Sequence, residues 1–338
     1  MHKFLIIQTA FIGDVVLATV LIEKLHADFP GAKIDFLLRK GNEGLLLNHP
    51  YLNEVFIWNK KHDKTKNLFK LINIIRKKNY NKVINVQRFF STGLITALSN
   101  AREKIGFDKN PLSFLFDVKV KHVIGTKENP VHEIERNLSL VKHFTTDIPA
   151  TIKLYPSKED YEKAKSAVNG QQSAVNYICI APSSVWFTKQ FPKEKWIEFL
   201  KEIPSTINIF FLGATSDKIL CDEIISKLRD NHTKNLCGKL SFLQSAALMK
   251  NAMMNYTNDS APMHIASAMN APVTAVFCST VTWFGYGPLS DESFVVERTA
   301  PLYCRPCTSH GKKECPEKHF KCALEINKDQ LLATLNYE

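Results

Sequence analysis

The feature that most limits how this chain can fold is an alternation, run twice, of short β-branched stretches with segments of helical periodicity. In the first half Phe4 to Ile7, Ile34 to Leu38, Val55 to Trp58 and Lys82 to Val86 read as buried strands, and Asp14 to Phe29, Lys66 to Lys78 and His132 to Phe144 read as helices. A helix over Lys158 to Val168 and the polar run Gly170-Gln171-Gln172-Ser173 follow, and then the alternation restarts. Strands are expected at Tyr177 to Ala181, Ile207 to Leu212, Met253 to Thr257 and Val273 to Ser279, separated by helices at Pro192 to Ile203, Asp217 to Leu228, Phe242 to Asn251 and Ala261 to Met269. Such alternation builds parallel sheets with helices on both faces, so the fold class is α/β with two doubly wound units in tandem. A length of 338 residues accommodates one core in each. The expected division is 1–168, 169–325 and a C-terminal helix over 326–338. Sheets of this kind bind ligands beyond the carboxyl ends of their strands, and two units facing each other would set those ends on either side of one cleft.

Composition narrows the partners. The chain is 45% apolar with no low-complexity tract, and its longest apolar runs fall far short of the roughly 20 residues of a membrane-spanning helix. Met1-His2-Lys3 and the strand after it do not resemble a signal peptide, so the expected location is the cytoplasm. The formal charge is +11, and Lys60 to Lys82 carries nine lysines and arginines against the single carboxylate of Asp63. A patch of this sign attracts phosphates, nucleic acid or anionic lipid. It is equally read as the solvated face of a helix whose Leu68, Leu71, Ile72 and Ile75 face a core. Nucleic acid is the weakest of the three partners, since no aromatic residues interleave the charges in the pattern of a stacking platform.

Neither GxGxxG nor GxxxxGK[ST] occurs, so a phosphate site must be built without a glycine-rich cradle. Thr257 to Phe277 offers one. A strand ends at Asn258-Asp259, Ser260 can cap, and a helix begins at Ala261-Pro262 with His264 on its first turn. The unpaired N–H groups of a helix start attract an anion. Ala181 to Trp196 offers a second, where Ser183, Ser184 and Thr188 can donate to phosphate oxygens and Lys189 adds charge. At the first strand's end, Thr9 to Asp14 leads into a helix. Asp14 is either a cap or a reactive carboxylate at the lip of a cleft. Late in the chain Cys304, Cys307, Cys315 and Cys322, with His310 and His319 among them, can close a tetrahedral structural zinc site. No water-activating ligand set accompanies them, so no catalytic metal is expected. Cys179, Cys221, Cys237 and Cys278 lie in strand or helix patterns and read as core thiols.

Three segments in order, QTAFIGD after the first strand, PSSVWFTKQFP in the middle and NDSAPMHIASA late, resemble the signatures of glycosyltransferase family 9, the ADP-heptose:lipopolysaccharide heptosyltransferases. The cysteine tail is similar to that of heptosyltransferase II-like members. The resemblance implies the GT-B fold, two Rossmann-like domains with the acceptor held by the first and the nucleotide sugar by the second. It implies inverting transfer of a heptose from ADP-heptose to the inner core of a lipopolysaccharide precursor, with no cofactor required. Asp14 matches the general base and Lys189 the lysine at the donor phosphates. Asp259, Ser260, Ala261 and His264 match the donor-binding element, with Ala261 standing where the family has glycine. Thr9, Phe11, Gly13, Lys60 and Lys64 are then the acceptor-side candidates, and the enzyme is expected on the cytoplasmic face of the inner membrane as a peripheral protein. Competing readings are a glycosyltransferase of the same fold with another nucleotide sugar or glycan acceptor, and a non-catalytic sugar-nucleotide or nucleic-acid binding protein.

Overall fold

A computed structural model describes residues 1–168, 176–228 and 232–335. The chain divides into two compact units, Met1–Tyr155 and Pro156–Glu338.

The first unit runs β1 (Lys3–Ile7), α1 (Ile12–Asp28), β2 (Lys33–Arg39), β3 (Leu52–Trp58), α2 (Lys64–Lys77), β4 (Lys82–Asn85), α3 (Phe90–Ala97), β5 (Glu103–Phe107), β6 (Val118–Val120) and α4 (Glu133–Ser139). Its six strands are all parallel, in the order β3-β2-β1-β4-β5-β6. The chain therefore lays strands to one side of β1 and then returns to lay β4 against its other side. That reversal between β1 and β4 opens a crevice at their carboxyl ends, where Gln8 to Asp14 and Val86 to Phe89 emerge. Helix α1 is buried over Val15 to Ile22, wider than an amphipathic stripe, because α4 covers the side turned away from the sheet. In α2 the expected stripe Leu68, Leu71, Ile72 and Ile75 is buried, with the lysines on the opposite face.

The second unit runs α5 (Lys158–Val168), β7 (Tyr177–Ala181), α6 (Lys193–Leu200), β8 (Asn208–Phe211), α7 (Lys218–Ile225), β9 (Thr233–Asn235), α8 (Phe242–Lys250), β10 (Met254–Asn258), α9 (Ala261–Ala268), β11 (Val273–Phe277), β12 (Ser293–Glu297), α10 (Lys321–Leu324) and α11 (Lys328–Leu332). The sheet order β12-β11-β10-β7-β8-β9 repeats the same parallel topology, and its reversal falls between β7 and β10. Trp196 and Phe199 of α6 meet Phe191 and Tyr256 edge-on or tilted in an aromatic core, closed by α11, whose Leu331 carbonyl accepts from the Tyr256 hydroxyl at 3.2 Å.

Several expectations shift. The helix Lys158–Val168 belongs to the second unit, because Ala164 and Val168 pack against α8; the division comes at Tyr155/Pro156, ahead of 168/169. The helix expected over His132 to Phe144 ends at Ser139, and the chain continues in turns that bury Leu140 and Val141. Among the described residues from 326 to 335 the helix is Lys328–Leu332, and the polar run at 170–173 lies outside the described residues. Strands β5, β6, β9 and β12 and helix α3 carried no clear periodic signal. The edge strands Val118–Val120 and Thr233–Asn235 are three residues each and partly polar.

Replacing Phe199, fully buried with its ring centroid 4.6 Å from that of Tyr256, by alanine should lower the unfolding free energy by about 3–5 kcal/mol. Urea denaturation measures this, and a loss below about 1 kcal/mol would show that the second core does not depend on this aromatic cluster.

Candidate active site

In the second unit the functional side chains gather where the sheet order reverses. Strand β7 ends at Ala181, and the chain passes through Ser183 and Ser184 and a single 3₁₀ turn, Phe187–Lys189, before α6. Beside it β10 ends at Asn258, followed by Asp259 and Ser260 at the start of α9. Asn258, fully buried, joins the two loops: its side-chain oxygen accepts from the Phe191 N–H at 2.8 Å and its amide donates to the Pro182 carbonyl at 2.7 Å.

The clamp brings Lys189 to Asp259. The Lys189 ammonium lies 2.6 Å from Asp259 Oδ2, with 15% and 6% of the two side chains exposed, and Thr280 donates its hydroxyl to the same oxygen at 2.6 Å. A lone carboxylate here would repel an anionic ligand. Paired with Lys189, Asp259 instead holds an ammonium beside the start of α9. Ser260 is in the extended N-cap conformation, and its hydroxyl donates to the Asn258 carbonyl at 3.3 Å rather than to the helix. Ala261 and Pro262 start α9, leaving its first N–H groups toward the same crevice. His264 sits buried one turn in. The Ser183 hydroxyl is buried with no partner among the described residues, and Ser184 is half-buried.

Thr188 differs from expectation. It is 1% exposed, and its hydroxyl oxygen accepts from the Lys312 N–H at 2.8 Å and from the Ser279 hydroxyl at 3.0 Å. It fastens two loops together instead of facing a ligand.

In the first unit Asp14 occupies the third position of α1 and accepts the Phe11 N–H at 3.1 Å, so the helix-cap geometry is present. Around the same strand ends, Lys60 donates to the Thr9 carbonyl at 2.8 Å and to the Thr9 hydroxyl at 2.9 Å, and lies 4.7 Å from the centre of the Trp58 ring. Burial first, then the charges of Arg39 and Lys64, bring the Lys60 ammonium down to about 8. Arg39, at the end of β2, stacks on Phe11 at 4.7 Å; burial brings its guanidinium below the ordinary arginine value, and the Asp14 charge opposes that shift. Thr9, Lys60 and Lys64 thus form one group beside Trp58, Phe11 and Arg39 lie beside Asp14, and Arg39 connects the two. Arg39 was readable as the last residue of the run Lys33–Arg39, because β2 is parallel to β1 and ends beside it. Thr280 and Arg305 carry no motif signal and emerge only from packing; Asn258 lies in the NDSAPMHIASA segment, and its clamping role emerges only from packing.

The cysteine tail does not form the expected cage. Cys304, Cys307 and Cys315 are half-buried, Cys322 is buried, and all are free thiols. Burial, then the neighbouring thiols Cys307, Cys315 and Cys304, push Cys322 up to about 12. Among the described residues no group of three or more His, Cys, Asp or Glu is arranged to hold a metal ion. Cys322 is buried within α10, and Cys304 faces His319 at 3.9 Å. Cys179, Cys221, Cys237 and Cys278 are core thiols as expected.

Two doubly wound parallel units, the second with an ammonium and a helix start at its topological reversal, define an α/β transferase architecture of the GT-B class. Residues 68–321 match the family model of glycosyltransferase family 9 (heptosyltransferase), and the chain belongs to that family. It is 28% identical over 280 residues to lipopolysaccharide heptosyltransferase 3 of Escherichia coli, covering 80% of this chain and 82% of that protein. To lipopolysaccharide heptosyltransferase 2 of Escherichia coli K12 it is 24% identical over 350 residues, covering 99% and 97%. The solved structure of E. coli ADP-heptose lps heptosyltransferase II superposes with a TM-score of 0.80 at 21% identity over 99% of this chain and 97% of that one. The chain is a glycosyltransferase.

Replacing Asn258 by alanine removes both bonds of the loop clamp. The unfolding free energy should fall by about 1–3 kcal/mol, the cost of leaving buried partners unsatisfied. An unchanged denaturation midpoint would show that the Pro182 to Phe191 loop is held by other contacts.

Proposed function

We propose that this glycosyltransferase moves a heptose from ADP-heptose to the inner core of a lipopolysaccharide precursor, with inversion and without a metal ion. The observation that carries the reading is the Lys189–Asp259 pair beside the start of α9. It is an anion site built from a fixed ammonium and helix N–H groups, suited to the diphosphate of a nucleotide sugar. The names of the relatives supply the sugar and the acceptor class.

In this mechanism Asp14 accepts the proton of an acceptor hydroxyl as that oxygen attacks the anomeric carbon. The bond from that carbon to the diphosphate oxygen breaks, and its electron pair leaves with ADP. Inversion needs no second carboxylate, because no glycosyl-enzyme forms. Lys189 and the Ala261 N–H meet the charge that grows on the leaving diphosphate. Asp259 and Thr280 keep Lys189 aimed. Ser183, with its buried hydroxyl, and Ser184 are donor-side hydrogen-bond partners, as are Ser260 and His264. On the acceptor side, Lys60, Lys64 and Arg39 match a phosphorylated core sugar in charge.

Asp14→Asn keeps the side chain's size and one acceptor oxygen. Turnover should fall by about 10²–10⁴-fold, the worth of a placed general base, while the dissociation constant for ADP stays within about twofold of the parent. Steady-state kinetics with calorimetric ADP titration separates the two. Retained turnover would leave Asp14 as a helix cap alone.

The outer face of α2 presents Lys66, Lys70 and Lys77 around a half-exposed Phe69. Among the described residues no helix is long and apolar enough to cross a membrane. A basic face with an aromatic residue at its centre supports peripheral binding to an anionic leaflet, at the cytoplasmic side of the inner membrane. Flotation with vesicles containing anionic lipid should show binding at low salt that fades as salt shortens the screening length to about 8 Å. Absence of binding at low salt would remove the membrane from the reading.

A further inference from the structure

We infer that residues 308–312 of the cysteine-rich tail act as a strap that positions Lys189, with Gly311 as its key residue. The inference rests on the reading of Lys189 as a diphosphate ligand and adds a device that holds it.

The strap meets the Lys189 turn at three points. The Thr188 N–H donates to the Lys312 carbonyl at 3.1 Å, and the Lys312 N–H donates back to the Thr188 hydroxyl at 2.8 Å, a two-way clamp on the residue before Lys189. Gly311 lies against the Lys189 stem. A Cβ placed on it would come within 2.8 Å of Lys189 Cγ, 3.1 Å of Lys189 Cδ and 3.0 Å of Trp186 Cβ. Its φ of +83° is the left-handed conformation that glycine adopts without cost. Thr308 fixes this bend, its hydroxyl accepting from the Gly311 N–H at 2.9 Å.

The other end of the ion pair is tied to the same tail. The Arg305 guanidinium donates to the carbonyls of Cys278 and Thr280, each at 2.7 Å, and pairs with Glu297. The Cys307 N–H donates to the Ser279 carbonyl at 3.0 Å. These bonds hold the end of β11, from which Thr280 reaches Asp259. The tail thus braces Lys189 directly and its carboxylate partner through Thr280. A lysine side chain has several rotatable bonds, and a ligand that finds it already placed loses less entropy on binding. Every contact in the chain of bonds is on the second unit, so the device works within one rigid core.

The test is a double-mutant cycle on ADP affinity, measured by calorimetry on the full chain, with Gly311→Ala, Lys189→Ala and the double variant. Lys189→Ala should weaken ADP by about 10- to 100-fold. Gly311→Ala should weaken it by about tenfold in the parent and by no more than about twofold in the Lys189→Ala background, because the strap acts through the lysine. If Gly311→Ala does not fold, Thr188→Val, which releases the Lys312 N–H without adding bulk, takes its place in the same cycle. Equal loss in both backgrounds, or no loss in the parent, overturns the strap. If Lys189→Ala itself leaves ADP affinity unchanged, the diphosphate reading fails, and the strap falls with it for that separate reason.

Discussion

The second unit is organised around one nearly buried ion pair. Lys189 and Asp259 come from loops after different strands, with 15% and 6% of their side chains exposed. Removing two charges from water costs several kcal/mol per ion, and only close geometry and further hydrogen bonds offset it. Here the offset comes from the 2.6 Å contact and from Thr280, whose position depends on Arg305 and the end of β11. A pair held this firmly adds little net stability. Its value is that the ammonium stays placed until an anion arrives to share it. This explains why the surrounding hydrogen bonds serve loop positions more than helix ends, and why Asn258, at the centre of the sheet, uses both ends of its amide on loop backbone.

The two sheets share one topology, and the difference between them is chemical. At the reversal of the first sheet, a carboxylate caps α1 with Arg39 beside it, and Lys60 and Lys64 lie next to Arg39. At the reversal of the second, the carboxylate is neutralised by its lysine and the helix start is left for an anion. One crossover rule creates both crevices, and the charge placed at each differs. On the proposed reading the first would take the acceptor hydroxyl and the second the diphosphate, without any glycine-rich loop in either.

Much of the architecture was legible because buried parallel strands are continuous apolar runs. Phe4–Ile7 and Val273–Phe277 could be read directly, and with them the two windings. Short edge strands such as Val118–Val120 and Thr233–Asn235 are half-exposed and carry lysine or asparagine, so they look like loop. The unit boundary was misplaced because α5 is strongly polar, and only its packing on α8 shows which core owns it. For the site, residues with their own chemistry were visible: Asp14, Lys189, Asp259 and His264. What escaped was direction. Nothing in the spacing of Thr188 shows that its hydroxyl turns inward to Lys312, and nothing in the spacing of four cysteines shows that Cys322 is buried while the other three are half-buried.

The cysteine tail illustrates why the direction of a side chain matters more than its identity. Read as a ligand set, it asks for a metal and stands apart from catalysis. In the fold, its backbone does the positioning: Arg305 and Cys307 fasten it to the end of β11, Thr308 bends it, and Gly311 has no side chain because the Lys189 stem fills that space. A glycine flanked by two loops that both end at one ion pair is poorly explained as a turn alone, since a turn needs the positive φ but not the missing Cβ on the side of Lys189. Both requirements meet at one residue, and that coincidence ties the tail to the anion site whether or not its thiols ever hold an ion.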